Sequence, residues 1–196
     1  MAISYDTATY FLLSQYVNIA SGEHLERIEP SEFFKNPSIK YQYINLVTLD
    51  WDERLNISTT LDELGLDRFS YIHADIHSHK LSESGTIIGL GTFIYPAVWT
   101  YIASIGKDCI IHSFVKMAEK VKIGNNCFIS GGVTIAGSSE IGNNCFIGTN
   151  VLIMDHVNIT NDVRLLPSMT IRKTIKTPGT YYNPNVFEVK QFKDEK

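Results

Sequence analysis

The sequence has no long hydrophobic run and no cluster of basic residues. No apolar stretch approaches the roughly 20 residues that cross a bilayer, so no membrane-spanning helix is expected. The formal net charge is −4 at pH 7, and without a basic patch neither nucleic acid nor an anionic membrane is expected as a partner. The opening residues, MAISYDTATYFLLSQYV, have neither a basic start nor a small-residue cleavage motif. A secretory peptide is therefore not expected, and the prediction is a cytoplasmic protein.

A six-residue repeat dominates the second half of the chain. Residues 123–128 (IGNNCF) recur letter for letter at residues 141–146, a shift of 18 (141 − 123). From Ile105 onward, almost every block of six opens with Ile, Leu or Met and has a small or β-branched residue in its fifth place. Six residues suit one short strand and its corner, so three blocks form one turn of a triangular β-coil. We expect the first and fifth places to face inward and the turns to stack, because one turn cannot bury its own apolar face.

Cysteine is scarce, and its positions follow the repeat. Cys109, Cys127 and Cys145 are spaced 18 residues apart (127 − 109, 145 − 127), each in the fifth place of a block. A zinc site would need a fourth ligand, and the neighbouring inward places hold only aliphatic side chains. We therefore expect one buried column of small hydrophobes and no metal.

The coil is expected to contain one irregularity. Its frame can be followed back to Ile88, but the block at residues 100–104 is one residue short before the frame resumes at Ile105. We expect a corner defect there.

The repeat resembles that of the hexapeptide-repeat acyltransferases, whose fold is a left-handed parallel β-helix. The resemblance implies a mainly β chain, acetyl-CoA as the acyl donor and assembly as a homotrimer. Bacterial sialic-acid O-acetyltransferases and nucleotide-sugar amine N-acetyltransferases are similar in a further respect, since they place a small Rossmann-like module before the coil. Residues 71–76 (YIHADI) look like the junction between those two parts.

The residues before the coil predict such a small α/β module. Residues 43–49 form a β-rich strand, Thr59 or Thr60 caps a following helix that ends at Gly65, and residues 69–72 form a second strand. The expected domains are therefore the following: an α/β module that binds the acceptor at residues 1–76, the β-helix at 77–176, and an exit segment with a tail at 177–196. The relatives hold a nucleotide in a Gly-rich loop near the start, but no glycine precedes Gly22 here, so nucleotide binding stays open.

A run of histidines lies close to the junction. His73, His77 and His79 fall within nine residues, and the last two share one face of a strand. Such a pair suits zinc or nickel. No carboxylate or cysteine stands at a ligand spacing from it, so a strand entering the coil is favoured.

The catalytic base implied by the resemblance is a histidine in the third place of a coil's third block, followed by an acidic residue. Here that block is MAEKVK, with Glu119 and then Lys120. Three candidates for the base follow. Glu119 itself qualifies if it is removed from water, His112 occupies a place where relatives often carry asparagine, and His156 stands beside Asp155. Alternatively, Glu119 is a solvated corner residue and His156 with Asp155 is a surface pair.

Small and basic residues predict where acetyl-CoA lies. In relatives the pantetheine arm follows the seam between neighbouring coils, along small residues, and the matching positions here are Gly131, Gly132, Gly137 and Gly148. Arg172 and Lys173 are candidates for the CoA phosphates. Alternatively, the glycines serve left-handed corner conformations and the basic residues are solvated.

Two functions from different classes therefore fit the sequence. The first is an acyl-CoA-dependent acyltransferase that acetylates an amine or hydroxyl of a sugar or sugar nucleotide in surface-glycan synthesis. The second is a trimeric β-helix binding or scaffold protein that has lost its base. The two functions are distinguished by Glu119 and Lys120, because a histidine followed by an acidic residue at these places would have identified an acyltransferase.

Overall fold

The computed structural model describes residues 10–13, 25–27, 30–35, 37, 42–47, 50–73, 76–77, 85–185 and 188–192. These form two compact units, Met1–Ser70 and Tyr71–Lys196. Within the described residues no helix is both long enough and apolar enough to cross a membrane. Gly22 and His79 lie outside the described residues, so the predictions that concern them are not addressed by the structure.

The first unit is a small α/β structure. Its strands are β1 (Tyr10–Leu13), β2 (Leu25–Arg27) and β3 (Gln42–Asn45), and its helices are α1 (Pro30–Phe33) and α2 (Trp51–Glu63). The strands form a parallel sheet in the order β2-β1-β3. Apolar side chains from α1, β3, α2 and the loops after β3 and α2 form one buried cluster, namely Phe33, Tyr43, Val47, Ile57, Leu61 and Leu66.

Helix α2 begins earlier than the sequence predicted. Its N-cap is Asp50, whose side chain accepts a hydrogen bond from the Glu53 backbone N–H at 2.8 Å. The predicted caps Thr59 and Thr60 lie inside the helix, so that prediction was wrong. An Asp cap followed by acidic residues in the first turn stabilises a helix start as well as a threonine does. The predicted end is confirmed, since Gly65 follows the last turn at φ +60°.

The second unit is a triangular parallel β-helix with three faces. The first face holds β4 (Tyr71–Ile72), β7 (Phe93–Ile94), β10 (Ile110–Ile111), β13 (Phe128–Ile129), β16 (Phe146–Ile147) and β19 (Val163–Leu165). The second holds β5 (Ile76–His77), β8 (Val98–Thr100), β11 (Lys116–Met117), β14 (Thr134–Ile135), β17 (Leu152–Ile153) and β20 (Thr170–Ile171). The third holds β6 (Ile87–Ile88), β9 (Ser104–Ile105), β12 (Lys122–Ile123), β15 (Glu140–Ile141) and β18 (Asn158–Ile159). Neighbouring strands on each face pair in parallel, which confirms the predicted stack.

The inward places are those that the repeat predicted. The first and fifth places of the blocks line the interior as one continuous buried core, with residues such as Ile129, Val133 and Ile135 fully buried. The fourth place makes the corner and adopts a left-handed backbone, as at Asp108 (φ 54°) and Phe114 (φ 64°). That conformation is unfavourable for residues other than glycine, and hydrogen bonds between stacked corners offset the cost.

The three cysteines form the expected buried column of free thiols. Each Sγ lies close to a carbonyl oxygen of the next turn: 3.1 Å from Cys109 to Gly124, 3.1 Å from Cys127 to Gly142, and 3.3 Å from Cys145 to Thr160. Burial raises the pKa of the Cys127 thiol well above its usual range. Under physiological conditions this thiol is therefore a neutral core residue.

The coil begins before the predicted boundary at residue 77. Tyr71 and Ile72 pair with Phe93 and Ile94, so these two residues of the predicted second strand belong to the coil. The predicted parallel return after α2 lies just before them, where Arg68 forms a parallel bridge with Tyr43 of β3 and the Phe69 N–H donates to the Tyr43 carbonyl at 2.8 Å. A strand at the end of one unit and a strand opening a coil look alike in sequence, because both are short and β-rich. The coil consequently has six turns, where about five were expected.

The expected corner defect is confirmed by the strand register. Ile94 pairs with Ile111, an offset of 17 (111 − 94), whereas Ile111 pairs with Ile129 at the regular offset of 18 (129 − 111). The missing residue falls in the turn that contains Ile102, which keeps the left-handed corner conformation at φ 50°.

The segment after the coil also forms strands. Strand β21 (Gly179–Asn185) pairs in parallel with β19, and β22 (Glu188–Phe192) returns antiparallel to β21. The sequence predicted only an exit segment and a tail from residue 177 onward. In the structure this segment instead continues the first face as a hairpin.

Candidate functional site

The predicted site residues occupy two corners of the coil. We call the turn from the first to the second face the first corner, and the turn from the second to the third face the second corner. The first corner carries His112, Gly131, Gly132 and Gly148, and the second carries Glu119, Gly137, His156, Arg172 and Lys173. Both corners belong to the regular part of the coil, so their backbone positions follow from the repeat.

His112 and Glu119 do not meet within one copy of the chain. They stand at opposite edges of the second face in one turn, separated by a block of six residues. Strand β11 (Lys116–Met117) lies between them along the second face, so the two residues belong to different corners of the coil.

The His112 ring is half-buried and firmly placed. It stacks on the Tyr95 ring of the preceding turn, with centroids 4.4 Å apart and planes inclined by 20°. Its Nδ1 atom is buried and has no hydrogen-bond partner among the residues that the structure describes, and a Cβ atom added at Gly131 would lie 3.4 Å from that nitrogen. Burial lowers the pKa of His112, because the imidazolium is poorly solvated there.

Glu119 is an exposed side chain at the second corner. Within the residues that the structure describes, no ion pair of Glu119 with either neighbouring lysine is found. The stacked residue of the next turn is Gly137, where an added Cβ atom would lie 3.4 Å from the Glu119 carbonyl oxygen. The removal from water that Glu119 needs as a base is therefore absent from the isolated chain.

His156 lies two turns below Glu119 at the same corner. Its side chain is 77% exposed, and its Nδ1 atom is 3.1 Å from Oδ2 of Asp155, which is itself 64% exposed. Adjacent exposed residues of this kind interact weakly, because water screens the charges. The geometry is that of a surface pair.

The reason why glycine stands at each of the four positions differs. Gly132 has φ +73°, and Gly148 lies so close to the next turn that an added Cβ atom would be 2.6 Å from the Leu165 carbonyl oxygen. Stacking of the coil explains both. At Gly131 and Gly137 the nearest atom to an added Cβ is 3.4 Å away, and neither has a left-handed backbone. At these two glycines an added Cβ atom would make ordinary van der Waals contact, with His112 at Gly131 and with Glu119 at Gly137, and neither backbone conformation requires glycine.

Arg172 and Lys173 are exposed in the last turn of the coil. They lie at the second corner, one turn after Asp155 and His156, since the Met154 N–H donates to the Ile171 carbonyl at 2.9 Å. Their exposure leaves both cations available to a phosphate group from outside the chain.

A shallow depression of about 580 Å³ lies elsewhere, on the third face. Among its lining residues are Lys122, Glu140, Asn158 and Lys176. The Lys122 Nζ atom donates to Glu140 Oε1 at 2.6 Å across it, so these two charges satisfy each other. The depression reaches the second corner at Thr174, but its lining contains none of the predicted site residues. Among the described residues no group of three or more His, Cys, Asp or Glu is placed to hold a metal ion.

Sequence reasoning missed two features near the corners. One is Tyr95, which stacks on His112 because both occupy the second place of their blocks, on either side of the one-residue defect. The other is a set of exposed apolar side chains, including Phe114 (66% exposed) at the first corner and Trp99 (53% exposed) on the second face. The second feature could have been found in the sequence, because these apolar residues stand at outward places of the repeat.

Known proteins resemble this chain in repeat and in fold. Residues 102–137 match the bacterial transferase hexapeptide (six repeats) family. No curated protein sequence matches the chain. The acetyltransferase domain of PglB from Neisseria gonorrhoeae FA1090 has a similar structure, with a TM-score of 0.73 and 15% identity over 95% of this chain and 100% of that domain.

Two further solved structures contain bound molecules. The same PglB domain in complex with acetyl coenzyme A matches with a TM-score of 0.73 and 13% identity, over 95% of this chain and 100% of that one. A mutant of perosamine N-acetyltransferase from Caulobacter crescentus, in complex with CoA and GDP-perosamine, has a TM-score of 0.70 and 12% identity, over 96% of this chain and 98% of that one. The predicted resemblance to hexapeptide-repeat acyltransferases, and the left-handed parallel β-helix behind a small α/β unit, are thereby confirmed at the level of repeat and fold.

Proposed function

We propose that this chain is an acyl-CoA-dependent acetyltransferase that acetylates an amine or hydroxyl of a sugar or sugar nucleotide, in surface-glycan synthesis. The observation that carries the proposal is the extent of the structural likeness. It covers 95% of the chain and the whole PglB acetyltransferase domain, and so includes the small α/β unit as well as the coil. The bound molecules in the similar structures are acetyl-CoA, CoA and a sugar nucleotide, which supports acetyl-CoA as the donor here.

The active site in this proposal is shared between copies of the chain. Within one copy, His112 and Glu119 lie at different corners, and the coil interior is filled by its own side chains. The exposed apolar residues Phe114 and Trp99 favour a partner on this side of the coil. A contact between the first corner of one copy and the second corner of the next is heterologous, and such a contact forms a ring when its rotation closes. We expect a homotrimer.

The acyl donor in this proposal lies along the seam between two copies. Gly131 and Gly137 allow the pantetheine arm to approach the backbone beside His112 and Glu119. Arg172 and Lys173 pair with the CoA phosphates, for which exposed cations in the last turn are suited. A neighbouring copy covering the second corner removes Glu119 from water, the condition under which a carboxylate acts as a base.

An amine is the favoured acceptor group. A neutral amine attacks a thioester with less help from a base than a hydroxyl requires. A site with Glu119 in place of a histidine and Lys120 in place of an acid suits this less demanding reaction.

A transfer assay tests the proposal. CoA thiol release from acetyl-CoA is measured with an amino-sugar nucleotide and with its hydroxyl analogue. We expect transfer to the amine, and we expect Glu119→Gln to lower kcat by about 10²–10⁴-fold with little change in KM for acetyl-CoA. Glu140→Gln, at an exposed glutamate on the third face, is the matched control. Absence of release with every sugar amine and alcohol would favour the scaffold function.

Mixing two defective variants tests whether the site is shared. His112→Phe and Glu119→Gln are each assayed alone and then after unfolding and refolding together. If one copy supplies His112 and the next supplies Glu119, about a quarter of the sites in the mixture hold both native residues, and activity returns. A mixture no more active than the separate variants would contradict a shared site.

A further inference from the structure

The His112 ring is fixed in place before any ligand binds. Its backbone N–H donates to the Ile129 carbonyl at 2.9 Å, as part of the regular ladder of the first face. The ring lies flat against Tyr95 on one side, and Gly131 of the following turn borders its Nδ1 edge. A side chain held in this way keeps one orientation, which is the property of a preorganised group in an active site.

The surroundings of the ring decide where its proton resides. Nδ1 is buried without a hydrogen-bond partner among the described residues, and the ring is otherwise half-exposed. A buried N–H group without an acceptor is among the least tolerated features of folded proteins. The single proton of the neutral ring is therefore better placed on Nε2, where water or a ligand accepts its hydrogen bond.

The same surroundings oppose a second proton. A charged imidazolium carries N–H groups on both nitrogens, so it would place one of them in the space beside Gly131, where no acceptor is available among the described residues. Two groups lie beside the ring: Tyr95, whose pKa is raised by burial and which is neutral, and the backbone at Gly131. Neither supplies a negative charge to stabilise the cation.

We propose that His112 donates a hydrogen bond to the oxyanion of the transfer reaction. In this role it is a neutral imidazole that donates from Nε2–H to the thioester oxygen, and it is not the base. This inference rests on the proposed function. It assigns the residue from its buried Nδ1 atom and its stack on Tyr95, and it places the acyl carbonyl at the first corner beside Gly131.

The chemistry balances without any proton leaving His112. The lone pair of the acceptor amine forms a C–N bond to the thioester carbon, and the C=O π pair moves to oxygen. Nε2–H donates to that oxyanion. The C=O bond then re-forms as the C–S bond breaks, CoA leaves as a thiolate, and the ammonium proton passes to the base or to solvent. Donors held in place for such an oxyanion are typically worth about 10²–10³-fold in kcat.

The protonation state can be read directly by ¹⁵N NMR of the full chain at pH 7. The ¹⁵N signals of His112 and His73 are assigned by comparison with the spectra of the His112→Gln and His73→Gln variants. His73 is the matched control, since it stands in the same column after β4 and lies 6.4 Å from Tyr71, ring centre to ring centre. We expect His112 to be neutral with its proton on Nε2. A proton on Nδ1, or two protons at pH 7, would overturn the inference.

Kinetics separate a donor from a base. The amide N–H of glutamine can replace Nε2–H, whereas phenylalanine keeps the stack on Tyr95 and donates nothing. We expect His112→Phe to lower kcat by about 10²–10³-fold, His112→Gln to stay within about tenfold of the unaltered chain, and His73→Gln to have no effect. Equal losses in the two His112 variants, with the acidic limb of the pH–rate profile removed, would identify a base and refute the donor role.

Failure of the proposed function can be distinguished from failure of the donor role of His112. If the unaltered chain binds acetyl-CoA but transfers nothing to any acceptor, the same NMR signal is followed during titration. A change at Nε2 with acetyl-CoA but not with CoA supports the donor role, because only the thioester has the carbonyl. An unchanged Nε2 signal under saturating acetyl-CoA overturns it.

Discussion

Cys127 is held between two turns of the coil by van der Waals contact and a weak thiol interaction. It is fully buried, and its Sγ atom lies 3.1 Å from the Gly142 carbonyl oxygen. The C–O bond of serine is shorter than the C–S bond, so a serine hydroxyl at this place falls short of that carbonyl while costing more to bury. Valine already fills equivalent inward places at Val121 and Val133.

We therefore expect Cys127→Ser to lower the free energy of unfolding by about 1–3 kcal/mol. Urea denaturation followed by circular dichroism measures the change. Cys127→Val is the control for loss of the thiol, and we expect a change below about 1.5 kcal/mol. Equal destabilisation by serine and valine would mean that volume, not polarity, decides the outcome.

Single residues were predictable where the repeat dictates their environment. The inward side chains and the cysteine column follow from spacing alone, because a residue's place in its block decides whether it faces the core. The environment of His112 did not follow. Tyr95 and His112 both occupy the second place of their blocks, and their offset is 17 residues (112 − 95) because one residue is missing between those blocks. The stack becomes visible only when the blocks are aligned across that defect.

The corners of the coil are the elements in which a functional glycine can be told from a structural one. At Gly124, in the turn from the third to the first face, an added Cβ atom would lie 2.5 Å from Asn143 Oδ1 and 2.7 Å from the Gly142 carbonyl carbon. At Gly131 the nearest atom is 3.4 Å away. The same substitution therefore overlaps backbone atoms at one corner and makes ordinary van der Waals contact at the other.

We expect Gly124→Ala to lower the free energy of unfolding by about 1–3 kcal/mol through overpacking, and Gly131→Ala to change it by no more than about 0.5 kcal/mol. Acetyl-CoA binding should behave in the opposite way, with Gly131→Ala weakening it because the methyl group occupies the approach to the backbone. Thermal unfolding and a binding titration on both variants supply the measurements. Unaltered affinity in Gly131→Ala would remove the first corner from the donor site.

Elements were predicted less well where two kinds of structure share one composition. Strand β4 was assigned to the α/β unit, because a two-residue strand that opens a coil has the same β-rich composition as one that closes a sheet. Helix α2 was started too late, because Asp50 and Thr59 both satisfy the rule for an N-cap. For β4 the choice is made by pairing with the distant strand β7, whereas the start of α2 is set locally, where the Asp50 side chain accepts a hydrogen bond from the Glu53 N–H.

For the whole molecule, the separation of the two corners is the central fact. Among the described residues the interior of the coil is filled by its own buried side chains, and the candidate groups stand on different edges. The function proposed above therefore requires a contact between copies. The repeat in the sequence predicted the fold and the place of each candidate residue in its block, and in the structure these places fall on two different corners.

Calorimetric titration of acetyl-CoA into the full chain tests the central claim, acyl-CoA-dependent transfer, most directly, because every version of the enzyme must bind the donor. The account predicts saturable binding with a dissociation constant below about 1 mM, corresponding to more than about 4 kcal/mol, and one molecule bound per chain. It also predicts that Arg172→Ala weakens the affinity, whereas Lys122→Ala, on the third face, leaves it unchanged. No saturable heat at millimolar acetyl-CoA would contradict the account and leave a β-helix that binds something else.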